Sequence, residues 1–375
     1  MQRYLDHNAS SPILPCALKA WQEAAVNASG NPSSMHWAGR QARRVLDDAR
    51  DVLADYFSVE SGAVVFTSGG TEANNLCLAG VLGKRTGAMC ISSTEHPSVL
   101  NTATALCKQQ QRPLVLLKVN QHGQIDPDDV CAQINAETAM VSIMLANNES
   151  GVVNSLADVG AYCRSLGVPF HVDAVQALGK IPVSFNGVKA DFLSCSAHKV
   201  GGAKGTGALI QRRGVLLETW MHGGGQERKR RSGTENIAGA VAFAAALNQC
   251  DFSACTALRD HFEQVLLTAM PDIVVHGAAA TRLPNTSFFS VPNMDGETLL
   301  MQLDLAGFAV GSGSACSSGK REPSHVLRAM GVSNPLARSS LRISFGAEHT
   351  TEDALALVAA LLRVRRLLQK MAGIP

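Results

Sequence analysis

Ala190-Asp191-Phe192-Leu193-Ser194-Cys195-Ser196-Ala197-His198-Lys199-Val200-Gly201-Gly202 is an apolar run that breaks into a polar, glycine-rich turn around one lysine. Gly205-Thr206-Gly207-Ala208-Leu209-Ile210 leads away from it as a second strand-like run. A lysine held there, beside a hydroxyl and an imidazole, suits a Schiff base with a carbonyl cofactor whose phosphate the flanking groups bind. The same residues also read as a surface lysine in a glycine loop, so the surroundings must decide. Upstream, short apolar runs at 64–66, 88–92, 114–119, 140–145, 170–172 and 192–195 precede a last one at 207–211. Amphipathic stretches at 72–82, 98–109 and 156–166 lie between several of them. Strands alternating with helices predict an α/β fold with a mostly parallel, doubly covered sheet, and ligands at the carboxyl ends of its strands.

Beyond about residue 250 the texture changes. A helix is expected over 254–270, strands at 286–290, 308–311 and 341–345, and a long C-terminal helix from Thr351. Between them lies a Gly/Ser-rich loop, Gly311-Ser312-Gly313-Ser314-Ala315-Cys316-Ser317-Ser318-Gly319. The expected division is a large domain over 14–252 and a smaller α+β domain built from 1–13 and 253–375, which carries this loop. At 375 residues the chain can hold two such cores.

A formal charge of +2 argues against a nucleic-acid partner, since neutralising phosphates takes clustered basic residues. The one basic run, Arg228-Lys229-Arg230-Arg231, reads as a solvated or anion-facing turn. The start of the chain has no apolar signal region, and the longest apolar stretch, Ile237–Leu247, reads as a buried helix rather than a membrane span. Ten cysteines without a Cys-x-x-Cys pair disfavour a zinc ribbon or a thioredoxin motif. No metal site is evident, and a cytoplasmic location with reduced thiols is expected.

Chemistry-bearing residues gather after the strands. Thr67-Ser68-Gly69-Gly70-Thr71-Glu72 is a small-residue turn opening a helix, so its free N–H groups and the Thr71 hydroxyl make either a phosphate cradle or an ordinary N-cap. The turn lacks the spacing of a dinucleotide fingerprint, which makes a nucleotide-binding module the weakest alternative. Asp173 ends an apolar strand, where it could pair with a protonated pyridine nitrogen or cap a helix. His96 could stack on a ring and shuttle protons or be a loop histidine, and Asn147-Asn148-Glu149 could donate to a phenolate oxygen. Cys316 sits in a loop too polar and glycine-rich for a core position, which marks it as a nucleophile, whereas the other cysteines read as packing.

Together these residues resemble the pyridoxal-phosphate enzymes of fold type I, specifically the class V aminotransferase group that contains the cysteine desulfurases. The resemblance runs from Tyr4-Leu5-Asp6 to about Thr350. It is carried by Thr94-Glu95-His96, Asn147-Asn148-Glu149, His171-Val172-Asp173-Ala174-Val175-Gln176 and Ser196-Ala197-His198-Lys199. Met221-His222-Gly223-Gly224-Gly225, Arg231-Ser232-Gly233-Thr234, Ser312-Gly313-Ser314-Ala315-Cys316 and Ser340-Leu341-Arg342 complete it. It implies pyridoxal 5'-phosphate as cofactor, bound covalently by Lys199, with Asp173 on the pyridine nitrogen and Gln176 on the phenolic oxygen. It also implies that His96 stacks on the ring and that Asn148 lies beside that oxygen and the substrate carboxylate. Gly70, Thr71, Ser196 and His198 hold the phosphate, joined by Thr234 from the partner subunit of a homodimer. Arg342 grips the substrate carboxylate, a role suited to its bidentate fork.

The reaction so implied is the conversion of L-cysteine to L-alanine. Lys199 removes the α-proton, and the Cys316 thiolate takes the substrate sulfur as a persulfide for a sulfur-acceptor protein, in iron–sulfur cluster assembly or thiolation. The alternatives are a selenocysteine lyase, another class V lyase or aminotransferase, and a non-enzymatic sulfur-relay partner. Two departures stand out: Ser150 replaces a usually apolar residue, and the sequence stops soon after Met371, without the longer tail that docks a cluster scaffold.

Overall fold

Seven strands form the central sheet of the computed structural model, which describes residues 2–313 and 322–371. Across the sheet they run Val64–Thr67, Gly207–Gln211, Phe192–Ser196, Phe170–Asp173, Met140–Ser142, Met89–Ser92 and Leu114–Leu117. Only Gly207–Gln211 is antiparallel to its neighbours; the other pairings are parallel. The expected mostly parallel sheet is therefore present.

Alternation along each strand feeds a core on either face. Val65, Met89, Ile91, Phe192 and Leu209 pack against the helices Gly70–Leu82 and Pro97–Gln109. Val64, Phe66, Cys90, Leu193 and Ile210 face the helices Trp37–Phe57, Ala157–Leu166 and Ile237–Leu247. Ile237–Leu247 is thus a buried helix, as its all-round apolar sequence predicts. No helix among the described residues is long and apolar enough to cross a membrane.

A second core lies between helices Cys255–Ala269, Gly296–Leu305 and Thr351–Met371 and an antiparallel sheet ordered Gly311–Ser312, Ser340–Ser344, Thr286–Ser290, Val274–Val275. Leu5 from the start of the chain joins it, next to the short strand Arg3–Tyr4, which pairs with Phe308–Ala309. The single strand expected over 308–311 is therefore two short ones serving different sheets, with Gly311–Ser312 turning to Leu341 and Arg342. The strand expected over 140–145 ends at Ser142. Just beyond it, the Met144 N–H donates to Glu95 Oε1 at 2.6 Å. Helices Pro15–Asn27 and Trp37–Phe57 fall outside the expected elements.

Candidate active site

The parallel strands end on one edge of the sheet, and the turns that follow enclose a cavity of about 730 Å³. Lys199, His96, Gly70, Thr71, Asn148, Asp173, Gln176, Ser196, His198 and Arg342 all line it. Thr234 is exposed and does not line this cavity, and Cys316 lies outside the described residues.

Lys199 closes the short 3-10 turn Ala197–Lys199 that follows strand Phe192–Ser196. Its Nζ donates to two main-chain carbonyls, Asn8 O at 2.6 Å and Ala9 O at 2.9 Å. Burial, then the Arg342 guanidinium, push this amine down to about 8, against the pull of Asp6 and Asp173. A lysine in that range is a free amine often enough to act as nucleophile and base near neutrality.

Asp173 ends its strand with both carboxylate oxygens engaged: Oδ2 accepts from Asn74 Nδ2 at 2.8 Å and Oδ1 from the Val175 N–H at 2.9 Å. His96 caps helix Pro97–Gln109, its Nδ1 accepting the Ser98 N–H at 3.1 Å. Burial lowers its basicity, against the opposing field of Asp173. An acceptor role at Nδ1 leaves the proton of a neutral ring on Nε2. Burial, with Lys199 and Lys204, pushes His198 down to about 4, so this ring is also neutral at neutral pH.

Anion-binding character is built into the helix Gly70–Leu82. Its N-terminus is preceded by Gly69, with no side-chain cap, so its first N–H groups face the cavity unclaimed. A Cβ on Gly70 would come within 2.6 Å of Val175 Cγ2 and 3.6 Å of Ser196 Cβ, so only glycine brings the backbone this close. Ser196 Oγ is buried in the same wall without a hydrogen-bond partner. A phosphate is the kind of group that satisfies an orphaned hydroxyl and an open helix end together. These residues therefore fit a phosphorylated cofactor. Burial opposes ionisation of Glu72 in the helix's first turn, but its bonds with Arg231 and Ser68 hold its carboxyl below the usual range. Arg231 reaches Glu72 at 2.7 Å, and Arg230 donates to Gln211 Oε1 and Gly62 O. Half of the basic run is thus folded back onto the protein instead of facing solvent.

Arg342, on strand Ser340–Ser344, donates from Nη2 to Asp6 Oδ1 at 2.6 Å and from Nη1 to Asn148 O at 3.0 Å. Its Nε and the Asn148 Oδ1 are buried without partners. Gly311, where the Gly/Ser-rich loop begins, lies so close that a Cβ there would be 2.8 Å from Arg342 Nη2. On the loop's far side, Ser324 donates to Glu149, and His325 Nε2 lies 2.9 Å from Glu95 O. The described residues flanking Cys316 are therefore fastened to the site from both directions. Among the described residues no cysteine lines the cavity, and burial raises the thiols of Cys77, Cys90, Cys107, Cys131, Cys163, Cys195, Cys250 and Cys255.

Sequence reading missed Asn8, Lys180 and Glu95. Asn8 has no motif of its own, yet its carbonyl takes both Lys199 Nζ and Gln176 Nε2. Burial, then Asp173, hold the Glu95 carboxyl well above the usual range. Its place beside His96 was the available signal.

A doubly covered, mostly parallel sheet thus carries a half-buried lysine, an acid and an open helix end at its carboxyl edge. Residues 3–357 match the aminotransferase class-V family model, and the chain belongs to that family. A cysteine desulfurase of Nostoc sp. is 41% identical over 360 residues, covering 93% of this chain and 89% of that one. A NifS-like protein of known structure has a TM-score of 0.89 at 31% identity, covering 98% of this chain and all (100%) of that one. A structure described as SspA in complex with cysteine has a TM-score of 0.84 at 30% identity, with 93% and 100% covered.

Proposed function

We propose that this protein is a cysteine desulfurase that uses pyridoxal 5'-phosphate, turns L-cysteine into L-alanine and collects the sulfur as a persulfide on Cys316. The observation that carries the reading is one cavity holding an amine poised near neutrality, an anchored carboxylate and an anion-ready helix end. The names of the relatives and the cysteine bound in one of the similar structures support the same substrate.

Lys199 would hold the cofactor covalently, Asp173 its ring nitrogen and Gln176 its phenolic oxygen. The N–H groups at Gly70 and Thr71, with Ser196 and His198, would hold the phosphate, and His96 would pack on the ring. Thr234, exposed and away from its own cavity, would reach the phosphate of a second copy in a homodimer. When bound, the cofactor supplies an electron sink for the charge left when the substrate loses its α-proton. The chain's own residues do the rest. Asn148 and Arg342 orient the substrate, the arginine releasing Asp6 or Asn148 O to grip the carboxylate. Lys199, once freed from the cofactor by the incoming substrate amine, would take the α-proton as free amine. The Cys316 thiolate attacks the substrate sulfur, the carbon–sulfur bond breaks with its electron pair left on the β-carbon, and one proton there and another returned to the α-carbon by Lys199 complete alanine. Cysteine and one protein thiol thus give alanine and one persulfide, with no external oxidant. The persulfide then passes to an acceptor protein.

The test is on purified protein: visible spectra with and without L-cysteine, then alanine and protein-bound persulfide in wild type and Cys316→Ala. A yellow band that shifts on adding cysteine, with persulfide lost in the variant, is expected. A protein that stays colourless with added pyridoxal phosphate, or a Cys316→Ala variant with full alanine formation, overturns the reading.

A further inference from the structure

Lys180 lies behind the cavity wall, 6% exposed, and it does not line the cavity. Its Nζ donates to Asn8 Oδ1 at 2.6 Å and to Gln176 Oε1 at 2.8 Å, and sits 5.7 Å from the centroid of the Phe252 ring. Among the described residues no carboxylate lies within ion-pair distance of it. Burial, then the cations Lys199 and Arg342, hold its amine well below the usual lysine range, against the opposing influence of Cys255. Burying an ammonium there is costly unless hydrogen bonds offset it. The local fold nevertheless directs it inward. Gly179 takes a left-handed φ of 72°, where a Cβ would come within 2.6 Å of Cys250 Sγ and 2.8 Å of Val200 Cγ1.

We propose that Lys180 is a positioning residue that sets the direction of two side-chain amides, so that Gln176 offers its NH₂ group at the cavity and Asn8 turns its own NH₂ group to Thr286 Oγ1 and the Asn148 carbonyl. The Lys180 amine donates to both oxygens it faces, whereas an amide has an acceptor at one end and donors at the other. With Oε1 held by Lys180, Gln176 Nε2 points to Asn8 O at 2.9 Å, the carbonyl that also takes Lys199 Nζ at 2.6 Å. A flipped amide would set Oε1 against that carbonyl, two acceptors with no proton between them. The lysine thus gives Gln176 the polarity needed to donate to a phenolic oxygen. That last consequence rests on the cofactor reading above.

Two measurements decide the matter. The first is the crystal structure of cofactor-free Lys180→Met, where Gln176 is expected to lose its bond to Asn8 O. A Gln176 that keeps this bond overturns the proposal, whatever the protein does with pyridoxal phosphate. The second is a cycle of Lys180→Met, Gln176→Ala and the double variant, read by the cofactor dissociation constant and the position of the bound cofactor's absorption band. Each single change is expected to weaken binding about tenfold and shift the band, the double being no worse than either. Independent, multiplying losses, or an unshifted band in Lys180→Met, overturn it. Should Lys180→Met not fold, Lys180→Gln, which keeps a donor, takes its place in both arms, with a smaller displacement expected. A wild-type protein that binds no pyridoxal phosphate would sink the functional reading and leave the crystallographic arm to decide this one.

Discussion

Lys199 shows how a single side chain acquires its chemistry from what surrounds it. Its ammonium has two carbonyls for partners, while burial and Arg342 work against its charge. The unfolded chain keeps a proton on this amine up to about 10.5, and the folded one only up to about 8. The unfolded state therefore binds more protons across that window, and the contribution of Lys199 to stability rises with pH. Urea titrations of the cofactor-free protein should show wild type gaining on Lys199→Met between pH 8 and 10.5. A constant difference would mean the amine is not perturbed. Asp173 makes a second prediction at this scale. Asp173→Asn keeps the shape but removes the negative charge, and the rate of alanine formation should fall about a hundredfold or more, with cofactor still bound.

At the scale of the element, the helix Gly70–Leu82 presents an open N-terminal end to the cavity. It lacks a side-chain cap, its first-turn Glu72 is neutralised by Arg231, and its first residue has no room for a Cβ beside Val175. Gly70→Ala should weaken pyridoxal phosphate about tenfold by pushing the helix end from the phosphate, as measured by equilibrium dialysis. Pyridoxal, which lacks the phosphate, should bind the variant as well as it binds wild type. Equal losses for both would place the damage elsewhere.

For the whole molecule, polar groups tie distant segments together. Arg50 of helix Trp37–Phe57 pairs with Glu227 through two bonds, at 2.7 and 2.9 Å, and also donates to Val64 O. Glu227 in turn accepts the Phe66 N–H, so helix, sheet edge and the loop after Gly225 meet at one buried ion pair. Removing one member leaves a buried charge, and Glu227→Ala should cost about 3–5 kcal/mol in chemical denaturation. Asn8 performs a similar junction at the site, joining the N-terminal segment to Lys199, Gln176, Lys180 and, through Nδ2, Thr286 and the Asn148 carbonyl.

Period-two alternation and glycine-rich turns were legible in the chain because they are local. Val64-Val65-Phe66 must feed opposite faces, and Gly69-Gly70 must open a helix, wherever the rest of the chain goes. For the same reason Lys199, Asp173, His96 and Ser196 could be named from their places after strands. The sequence by itself thus determined the sheet, the edge where its parallel strands end and many of the residues that line the cavity there. What it could not reveal was partnership across long separations. Lys180 carries no signal that it points inward, Asn8 none that its carbonyl serves residues 168 and 191 positions away, and Glu95 none that burial raises its carboxyl. Only the tertiary structure decided these. Hydrogen-bond direction, desolvation and the field of neighbouring charges depend on distance in space, and the order of residues does not contain it.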